Sequence, residues 1–297
     1  MATLQEQVQR IASNGKLSRA QRLEDLVYLL GLSTYEALTA LDVYKPASKP
    51  KSPKEVTFGV EIECSNVERA LFVRIATDNG ARVRLESYNH VDNNTYYKVV
   101  NDGSLMGENT AEIVSPILKG KDGLKSLKII CESLNKIGAT VNSSCGLHVH
   151  LDARNMSIKH WRNLYINYAR LEAIIDSFMP NSRRRNNNGY CRSIANYPRL
   201  EAAIFACNSI EDIRALFGSR YYKINAEAYM RHKTVEFRQH SGTTDYEKIS
   251  MWVAFLQKLL AYSKHNTIEN CYSIDDVPFL TKTEKQFFKN RITLLAS

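Results

Sequence analysis

Three short segments, far apart in the chain, alternate between apolar and polar residues with a period of two. They are Val56–Glu63, Leu147–Asp152 and Thr234–His240. This period predicts β-strands, because successive side chains of a strand point to opposite faces. The polar positions of the three segments carry Glu61, Glu63, His148, His150, Asp152, Thr234, Glu236, Arg238 and His240. We therefore predict a sheet with one apolar face and one face that forms the floor of a charged cleft.

Segments with helical spacing lie between these strands. The longest, Ser157–Phe178, places Trp161, Leu164, Tyr168 and Leu171 on one stripe, as expected for a helix that covers the apolar side of a sheet. Further helices are predicted at Val67–Asn79, Leu124–Ile137, Leu200–Cys207, Ile210–Phe217, Tyr246–Ser263 and Lys282–Leu295, and a further strand at Tyr222–Tyr229. The mixture of strands and helices predicts an α+β fold.

The first 44 residues contain three helix-start signals of one kind. Thr3 with Glu6, Ser18 with Gln21, and Ser33 with Glu36 have the spacing of a capping box. We predict a small three-helix unit over residues 1–44, a linker with four Lys and three Pro over 45–54, and the main domain over 55–297. The unit carries four basic and five acidic residues. We therefore expect it to dock on a protein partner rather than to read DNA.

Composition narrows the class of protein. The formal net charge is +9 and 44% of the residues are hydrophobic, which suits a sizeable core and an anionic ligand such as a nucleotide. No apolar run reaches membrane-spanning length, residues 1–30 lack the pattern of a signal peptide, and six cysteines are scattered singly. We expect a cytoplasmic protein with reduced thiols and without a membrane segment; nucleic acid is a less favoured ligand.

The polar face of the predicted sheet combines several carboxylates with two histidines. Such a cluster needs cations or protons to neutralise it, and hard divalent ions that bridge phosphate oxygens suit this donor set. Three alternatives remain open from the residues. They are a zinc-dependent hydrolase that uses His148 and His150, a non-catalytic partner- or nucleic-acid-binding protein, and a kinase acting on a guanidine. Glu236 and Arg238 are also compatible with a surface ion pair of little energetic consequence.

At seven motifs the chain resembles the amidoligase family, within the carboxylate–amine ligases that share the glutamine synthetase fold. The motifs are Gly59–Glu63, Lys98–Leu105, Glu112–Pro116, Cys145–His150, Tyr190–Arg192, Arg220-Tyr221 with Asn225, and Thr234–Arg238 with Gly242-Thr243. They follow the family order and cover about residues 55–265. The resemblance implies a largely antiparallel sheet with helices on one face and a catalytic cleft on the other.

The resemblance also implies roles for individual residues. Glu61, Glu63, Glu112, His148 and Glu236 would hold magnesium or manganese ions. Lys98, His150, Arg192, Arg220, Asn225 and His240 would contact nucleotide or substrate. Arg238 would bind the transferred phosphoryl group, and Asp102 could accept the proton of the amine. The chain departs from the glutamine synthetase pattern at Thr234, where an arginine is common, and near Glu112, where a second glutamate is expected.

These roles imply an ATP-dependent reaction in two steps. A substrate carboxylate attacks the terminal phosphate of ATP to give an acyl phosphate and ADP, and an amine then displaces phosphate to form an amide. The implied partners are a small-molecule or peptide carboxylate and an amine, with a homo-oligomer as a further expectation. The Arg183–Arg185 segment could bind phosphate or carboxylate, although its position within the polar stretch Asn181–Arg192 equally predicts a solvated loop.

Overall fold

The computed structural model describes residues 3–14, 16–44, 56–87 and 95–296. These residues fall into two compact units, one on each side of residues 45–55. The linker predicted over 45–54 lies outside the described residues. Within the described residues, no helix combines the length and apolar character that crossing a membrane requires.

The smaller unit consists of the helices α1 (Leu4–Ala12), α2 (Arg19–Tyr28) and α3 (Thr34–Val43). All three predicted capping boxes are confirmed. At α3, for example, Ser33 Oγ accepts the Glu36 amide at 3.3 Å and Glu36 Oε2 accepts the Ser33 amide at 2.9 Å. The unit has its own apolar core, which includes Leu26, Ala37 and Leu41.

The larger unit contains a seven-stranded sheet in the order β2-β3-β4-β1-β5-β7-β6. Its strands are β1 (Phe58–Cys64), β2 (Val83–Leu85), β3 (Tyr97–Val100), β4 (Ala111–Val114), β5 (Gly146–Asp152), β6 (Ile224–Asn225) and β7 (Thr234–Ser241). Every neighbouring pair is antiparallel except β2 and β3. The three strands predicted from alternation are thus the adjacent β1, β5 and β7 at the centre of the sheet.

The described part of the larger unit contains eight α-helices, several of which cover the apolar face of this sheet. They are α4 (Arg69–Asp78), α5 (Gly120–Lys136), α6 (Ile158–Ser177), α7 (Leu200–Ala206), α8 (Ile210–Phe217), α9 (Ala228–His232), α10 (Tyr246–Ser263) and α11 (Lys282–Ala296). Val60, Ile62, Leu147 and Val149 of the sheet share one core cluster with Trp161 of α6 and its neighbours. The predicted α+β class, with helices on one face of a mostly antiparallel sheet, is confirmed.

A β-bulge near the end of β7 changes the alternation on which the sequence analysis relied. Leu147 lies opposite His240 and Val149 opposite Phe237, so three residue steps on β7 match two on β5. As a result His240 points to the helix side, where its ring lies 5.7 Å from that of Trp252. The expectation that His240 shares the polar face with Glu236 and Arg238 was therefore wrong.

The strand predicted at Tyr222–Tyr229 is much shorter than expected. Only Ile224–Asn225 is strand, and α9 follows at Ala228–His232. The Asn225 side chain ends the strand, because its Oδ1 accepts the amide of Glu227 at 2.7 Å and turns the chain.

A buried polar network fastens α6 to the back of β6 and β7. Lys223, with a fully buried side chain, donates from Nζ to Glu172 Oε1 at 2.9 Å and to Asp176 Oδ1 at 2.7 Å. Asp176 also accepts the side chain of Gln239 at 2.6 Å and the backbone amide of Arg185 at 2.8 Å. The network therefore connects α6 with both β7 and the arginine-rich segment that follows α6.

Candidate active site

The polar face of the sheet forms the floor of a cleft of about 1250 Å³. Of the residues predicted for the site, eleven line this cleft: Glu61, Glu63, Lys98, Asp102, Glu112, His148, His150, Arg220, Asn225, Glu236 and Arg238. Arg192 and His240 are not among its lining residues. The cleft thus gathers side chains from positions 61 to 238, which lie on six strands and in the loops that join them.

The register of the sheet accounts for this convergence. Glu61 pairs with His148 across β1 and β5, and Glu63 pairs with Glu112 across β1 and β4. His150 pairs with Glu236 across β5 and β7. Directly opposed side chains on one face of an antiparallel pair have Cβ atoms roughly 4.5–5.5 Å apart. Acidic and imidazole groups are therefore adjacent on four neighbouring strands, in the order β4-β1-β5-β7.

These side chains form three overlapping groups of potential metal ligands. The groups are Glu61 with His150 and Glu236, Glu61 with Glu112 and His148, and Glu63 with Asp102 and Glu112. Within each group the ligand atoms lie within 4.8 Å of one another. Glu61 belongs to two groups and so does Glu112, which makes the three groups one continuous array along the floor of the cleft.

Glu61 is held between the two histidines. His148 Nδ1 lies 2.8 Å from Glu61 Oε2, and His150 Nε2 lies 3.3 Å from Glu61 Oε1. Burial alone would raise the pKa of Glu61, but the hydrogen bonds and charges of His148 and His150 outweigh it and hold the pKa well below its usual value. The same contacts raise the pKa of His150 against the opposing effect of its burial. Glu61 is therefore ionised at neutral pH.

Glu112 shows the opposite behaviour. Burial, and after it the negative charges of Glu61, Glu63 and Asp102, raise the pKa of Glu112 well above its usual value. A cation between these carboxylates would remove the repulsion, so the array is suited to positive ions. The donors are mainly carboxylate oxygens, which magnesium and manganese prefer. Among the described residues, each ligand group contains at most one histidine, so His148 and His150 belong to different groups. This arrangement does not favour a zinc site that uses both histidines.

Asp102 lies where the sequence analysis expected a second carboxylate metal ligand near Glu112 and found no glutamate. The resemblance to glutamine synthetase suggested that a second glutamate near Glu112 was missing, and Asp102 was assigned to proton transfer. In the structure Asp102 completes the group with Glu63 and Glu112. Its Oδ1 accepts the amide of Ser104 at 2.8 Å and the Ser104 hydroxyl at 2.7 Å. Oδ2 therefore remains for a metal ion or a proton.

Glu236 and Arg238 form a buried ion pair on the cleft side of β7. Arg238 Nη1 donates to Glu236 Oε1, and Asn225 Nδ2 donates to Glu236 Oε2 at 2.6 Å. Burial would raise the pKa of Glu236, but the charges of Arg238 and then His150 outweigh it and lower the pKa. The pair is therefore charged, and it places a fixed guanidinium beside the array of ligands.

A comparison with family models finds a match over residues 54–260 to the family described as "putative amidoligase enzyme". The chain belongs to the amidoligase family. The matched region contains all seven strands and every residue that lines the cleft. A search of curated proteins finds no match. The resemblance stated from the motifs is confirmed, and membership indicates an enzyme of the ligase type.

The residues expected to contact nucleotide or substrate are distributed unevenly in this amidoligase. Lys98 is buried in the cleft wall, with its Nζ 3.8 Å from Glu86 Oε2. The guanidinium of Arg220 lies over the ring of Tyr221 at 5.2 Å. Arg192 stacks instead on Tyr222 at 4.3 Å, away from the cleft lining. His240 is buried on the helix side, and burial lowers its pKa to about 3.

Arg183 is a cleft residue that the sequence analysis named only within the Arg183–Arg185 segment, either as a binder of phosphate or carboxylate or as part of a solvated loop. A short 3-10 helix covers Asn181–Arg183, and the Arg183 side chain is buried with 3% of its surface exposed. Its neighbours Arg184 and Arg185 do not line the cleft. No local signal separates the three arginines, because their spacing follows neither a strand nor a long helix.

Gly146 allows the side chains of the amidoligase site to approach the start of β5. Its amide donates to Glu63 Oε2 at 2.5 Å. A Cβ atom at this position would lie 3.1 Å from His148 Nε2, 3.2 Å from Glu63 Oε2 and 3.3 Å from Arg183 Nη2. Each distance is shorter than a comfortable contact, so three functional side chains would have to shift.

We therefore expect Gly146→Ala to reduce turnover by about 10²-fold, as displacements below 1 Å do in preorganised sites. Circular dichroism should show an unchanged fold. Gly103→Ala is the control, because a Cβ at Gly103 meets no atom within 4 Å. Equal turnover of Gly146→Ala and the wild type would contradict this prediction.

Proposed function

We propose that the protein is an ATP-dependent carboxylate–amine ligase that forms an amide through an acyl phosphate and releases ADP. The observation that carries this proposal is the continuous ligand array of Glu61, Glu63, Glu112 and their neighbours beside the fixed guanidinium of Arg238. Phosphoryl transfer depends on positioning and on neutralising charge, and both are available here. The mostly antiparallel sheet, with helices on one face and the array on the other, supports the further proposal of a glutamine synthetase-like fold.

Magnesium, or manganese, is the metal we propose for this array. The ligands we propose are Glu61, Glu63, Glu112, His148 and Glu236; Asp102 and His150 belong to the same groups but are assigned other roles. A bound divalent ion would neutralise charge on phosphate oxygens during transfer of the terminal phosphoryl group of ATP. The chain holds these ligands in place before substrate binds. For example, Glu63 accepts the Gly146 amide and Glu236 accepts the Asn225 amide group.

The chain's own residues would act on the transferred group and on the amine. Because Glu236 holds the Arg238 side chain in place, the guanidinium could stabilise the phosphoryl group during its transfer without first rearranging. Asp102 is half-buried at the edge of the cleft, and its Oδ2 could receive the proton that the attacking amine releases. The nucleotide and substrate contacts that we retain as proposals are Lys98, His150, Arg220 and Asn225, all of which line the cleft.

The proposal extends to the organisation of the protein. We propose residues 1–44 as a separate unit that docks on a partner protein, joined by residues 45–54 to the ligase domain. Exposed Tyr28, Leu29 and Tyr35 on the described helices support a contact surface. A cytoplasmic location is supported by the six free cysteines. Assembly of identical subunits is a proposal that rests on the glutamine synthetase resemblance.

Trapping of the acyl phosphate tests the proposed function. The purified full chain is incubated with ATP, magnesium, a pool of carboxylic acids labelled with oxygen-18 and hydroxylamine. An acyl phosphate reacts with hydroxylamine to give a hydroxamate, and one labelled oxygen passes to phosphate. We expect ADP, hydroxamate and labelled phosphate in equal amounts. Formation of AMP and pyrophosphate, or release of phosphate that does not depend on a carboxylate, would rule out this mechanism.

A further inference from the structure

We propose that Arg183 forms a binding subsite for a carboxylate group of the acceptor substrate, at the end of the cleft that holds Glu63. The inference rests on the proposed function, which requires a carboxylate substrate in this cleft. Arg183 lines the cleft, although only 3% of its surface is exposed. The subsite is defined by Arg183 with Ser143, Ser144, Asn187 and Asn188, cleft-lining residues that precede Cys145 or follow Arg183 in the chain.

The first step of the argument is the pairing of the guanidinium. Nη2 donates to the carbonyl oxygen of Cys145 at 2.5 Å, and Nη1 lies 3.8 Å from Cys191 Sγ. Nε is buried and has no hydrogen-bond partner among the described residues. Among the residues that the structure describes, the Arg183 side chain forms no ion pair with a carboxylate. A buried cation with only neutral partners is unfavourable, unless a ligand supplies the missing negative charge.

The second step is the position of the guanidinium relative to the ligand array. Because Gly146 has no side chain, Arg183 Nη2, Glu63 Oε2 and His148 Nε2 all lie within 3.3 Å of the point that a Cβ atom would occupy there. An anion held by Arg183 would therefore lie next to the metal ligands, where the reaction takes place. Metal ions would neutralise Glu63 and its neighbours, so these carboxylates would not compete for Arg183.

The third step is the length of the cleft. Thr57 and Glu63 both line it, and strand geometry separates them by about 20 Å. The basic residues Arg154, Arg231 and Lys233 line the end near Thr57, beyond the array. The cleft therefore has room for a triphosphate at that end and for a second ligand at the Arg183 end. The neutral hydroxyl and amide groups around Arg183 suit a carboxylate, which accepts hydrogen bonds only.

Equilibrium binding to the full chain tests the subsite. The protein is saturated with magnesium and the β,γ-imido analogue of ATP and titrated by calorimetry with acetate, succinate, L-glutamate and inorganic phosphate. We expect at least one carboxylate to bind to the wild type, and Arg183→Met to weaken that binding by about 10- to 100-fold. Arg183→Lys should fall between the two, since it keeps the charge but not the planar donors.

Arg185→Met is the matched control, because Arg185 lies in the same segment but does not line the cleft. It should bind carboxylates like the wild type, and all variants should keep the wild-type affinity for the nucleotide analogue. If Arg183→Met does not fold by circular dichroism, Arg183→Lys is used in its place. The subsite would be overturned if the folded Arg183 variant bound carboxylates as the wild type does, or if it lost nucleotide binding to the same extent as carboxylate binding. It would also be overturned if the wild type bound only phosphate, or none of the probes.

The two proposals fail separately. Carboxylate binding that depends on Arg183, without formation of hydroxamate or ADP, would leave the subsite standing and remove the ligase mechanism. If Arg183→Met formed hydroxamate at the wild-type rate and with unchanged dependence on carboxylate, the ligase mechanism would stand and the subsite would be removed.

Discussion

Glu61→Gln should lower the ATP-dependent turnover by about 10³-fold while the protein still folds. Glu61 belongs to two of the three ligand groups and lies between His148 and His150. Glutamine has the same shape but lacks the charge, so both groups lose an anionic donor at once. Because His148 and His150 lower the pKa of Glu61, its ionised carboxylate stabilises the fold, so the substitution should also lower the thermal midpoint in the absence of metal. The rate of ADP formation and the thermal midpoint with and without magnesium measure these effects.

Glu227→Gln provides the control for this substitution. Glu227 also lines the cleft, but its Oε2 pairs with Arg214 at 2.7 Å and it belongs to none of the ligand groups. It should keep turnover within a few-fold of the wild type. In contrast, Glu61→Gln should lose most of the rise in thermal midpoint that magnesium and nucleotide give to the wild type. Turnover of Glu61→Gln within tenfold of the wild type would show that the array does not serve the reaction.

Lys223→Met should lower the free energy of unfolding of the larger unit by about 3–5 kcal/mol. The substitution keeps the length of the side chain but leaves Glu172 and Asp176 buried without their cation. Both tryptophans, Trp161 and Trp252, lie in this unit, so urea unfolding followed by tryptophan fluorescence reports on it. Because Asp176 also binds the amide of Arg185, the segment that carries Arg183 should loosen before the unit unfolds.

Lys128→Met is the matched control. Lys128 pairs with Glu132 at 3.6 Å on the surface, with more than half of both side chains exposed, so its loss should change stability by less than about 1 kcal/mol. A triple variant, Lys223→Met with Glu172→Gln and Asp176→Asn, should recover part of the lost stability, since it removes the unpaired charges. An effect of Lys223→Met no larger than that of Lys128→Met would show that the network contributes little.

Much of the fold and most of the site could be predicted from local patterns. Alternation identified β1, β5 and β7, and the shared polar face of these strands brought Glu61, His148 and Glu236 into one cleft as expected. Capping boxes located the starts of α1, α2 and α3 because both partners of each cap lie within one turn of the chain. Such signals depend only on residues that are close in sequence.

The features that were missed depend on contacts between distant residues. Arg183 is buried because Gly146, which is 37 positions away, leaves space for its guanidinium and Cys145 supplies a carbonyl acceptor. Asp102 joins Glu63 and Glu112 only through the pairing of β1 with β4 and the loop that follows β3. His240 was placed on the wrong face because a bulge has no marker in the alternation of a single strand.

The extra residue in β7 also determines how sequences related to this one should be aligned. The irregularity falls between Phe237 and His240, so Arg238 lines the cleft while His240 packs on the helix side despite their even spacing. A relative that lacked one residue between them would keep its guanidinium beside the ligand array, while the side chains that follow would change from one face of the sheet to the other. A one-position gap at Gln239 in an alignment would therefore indicate that different side chains of this strand face the core, rather than an error of the alignment.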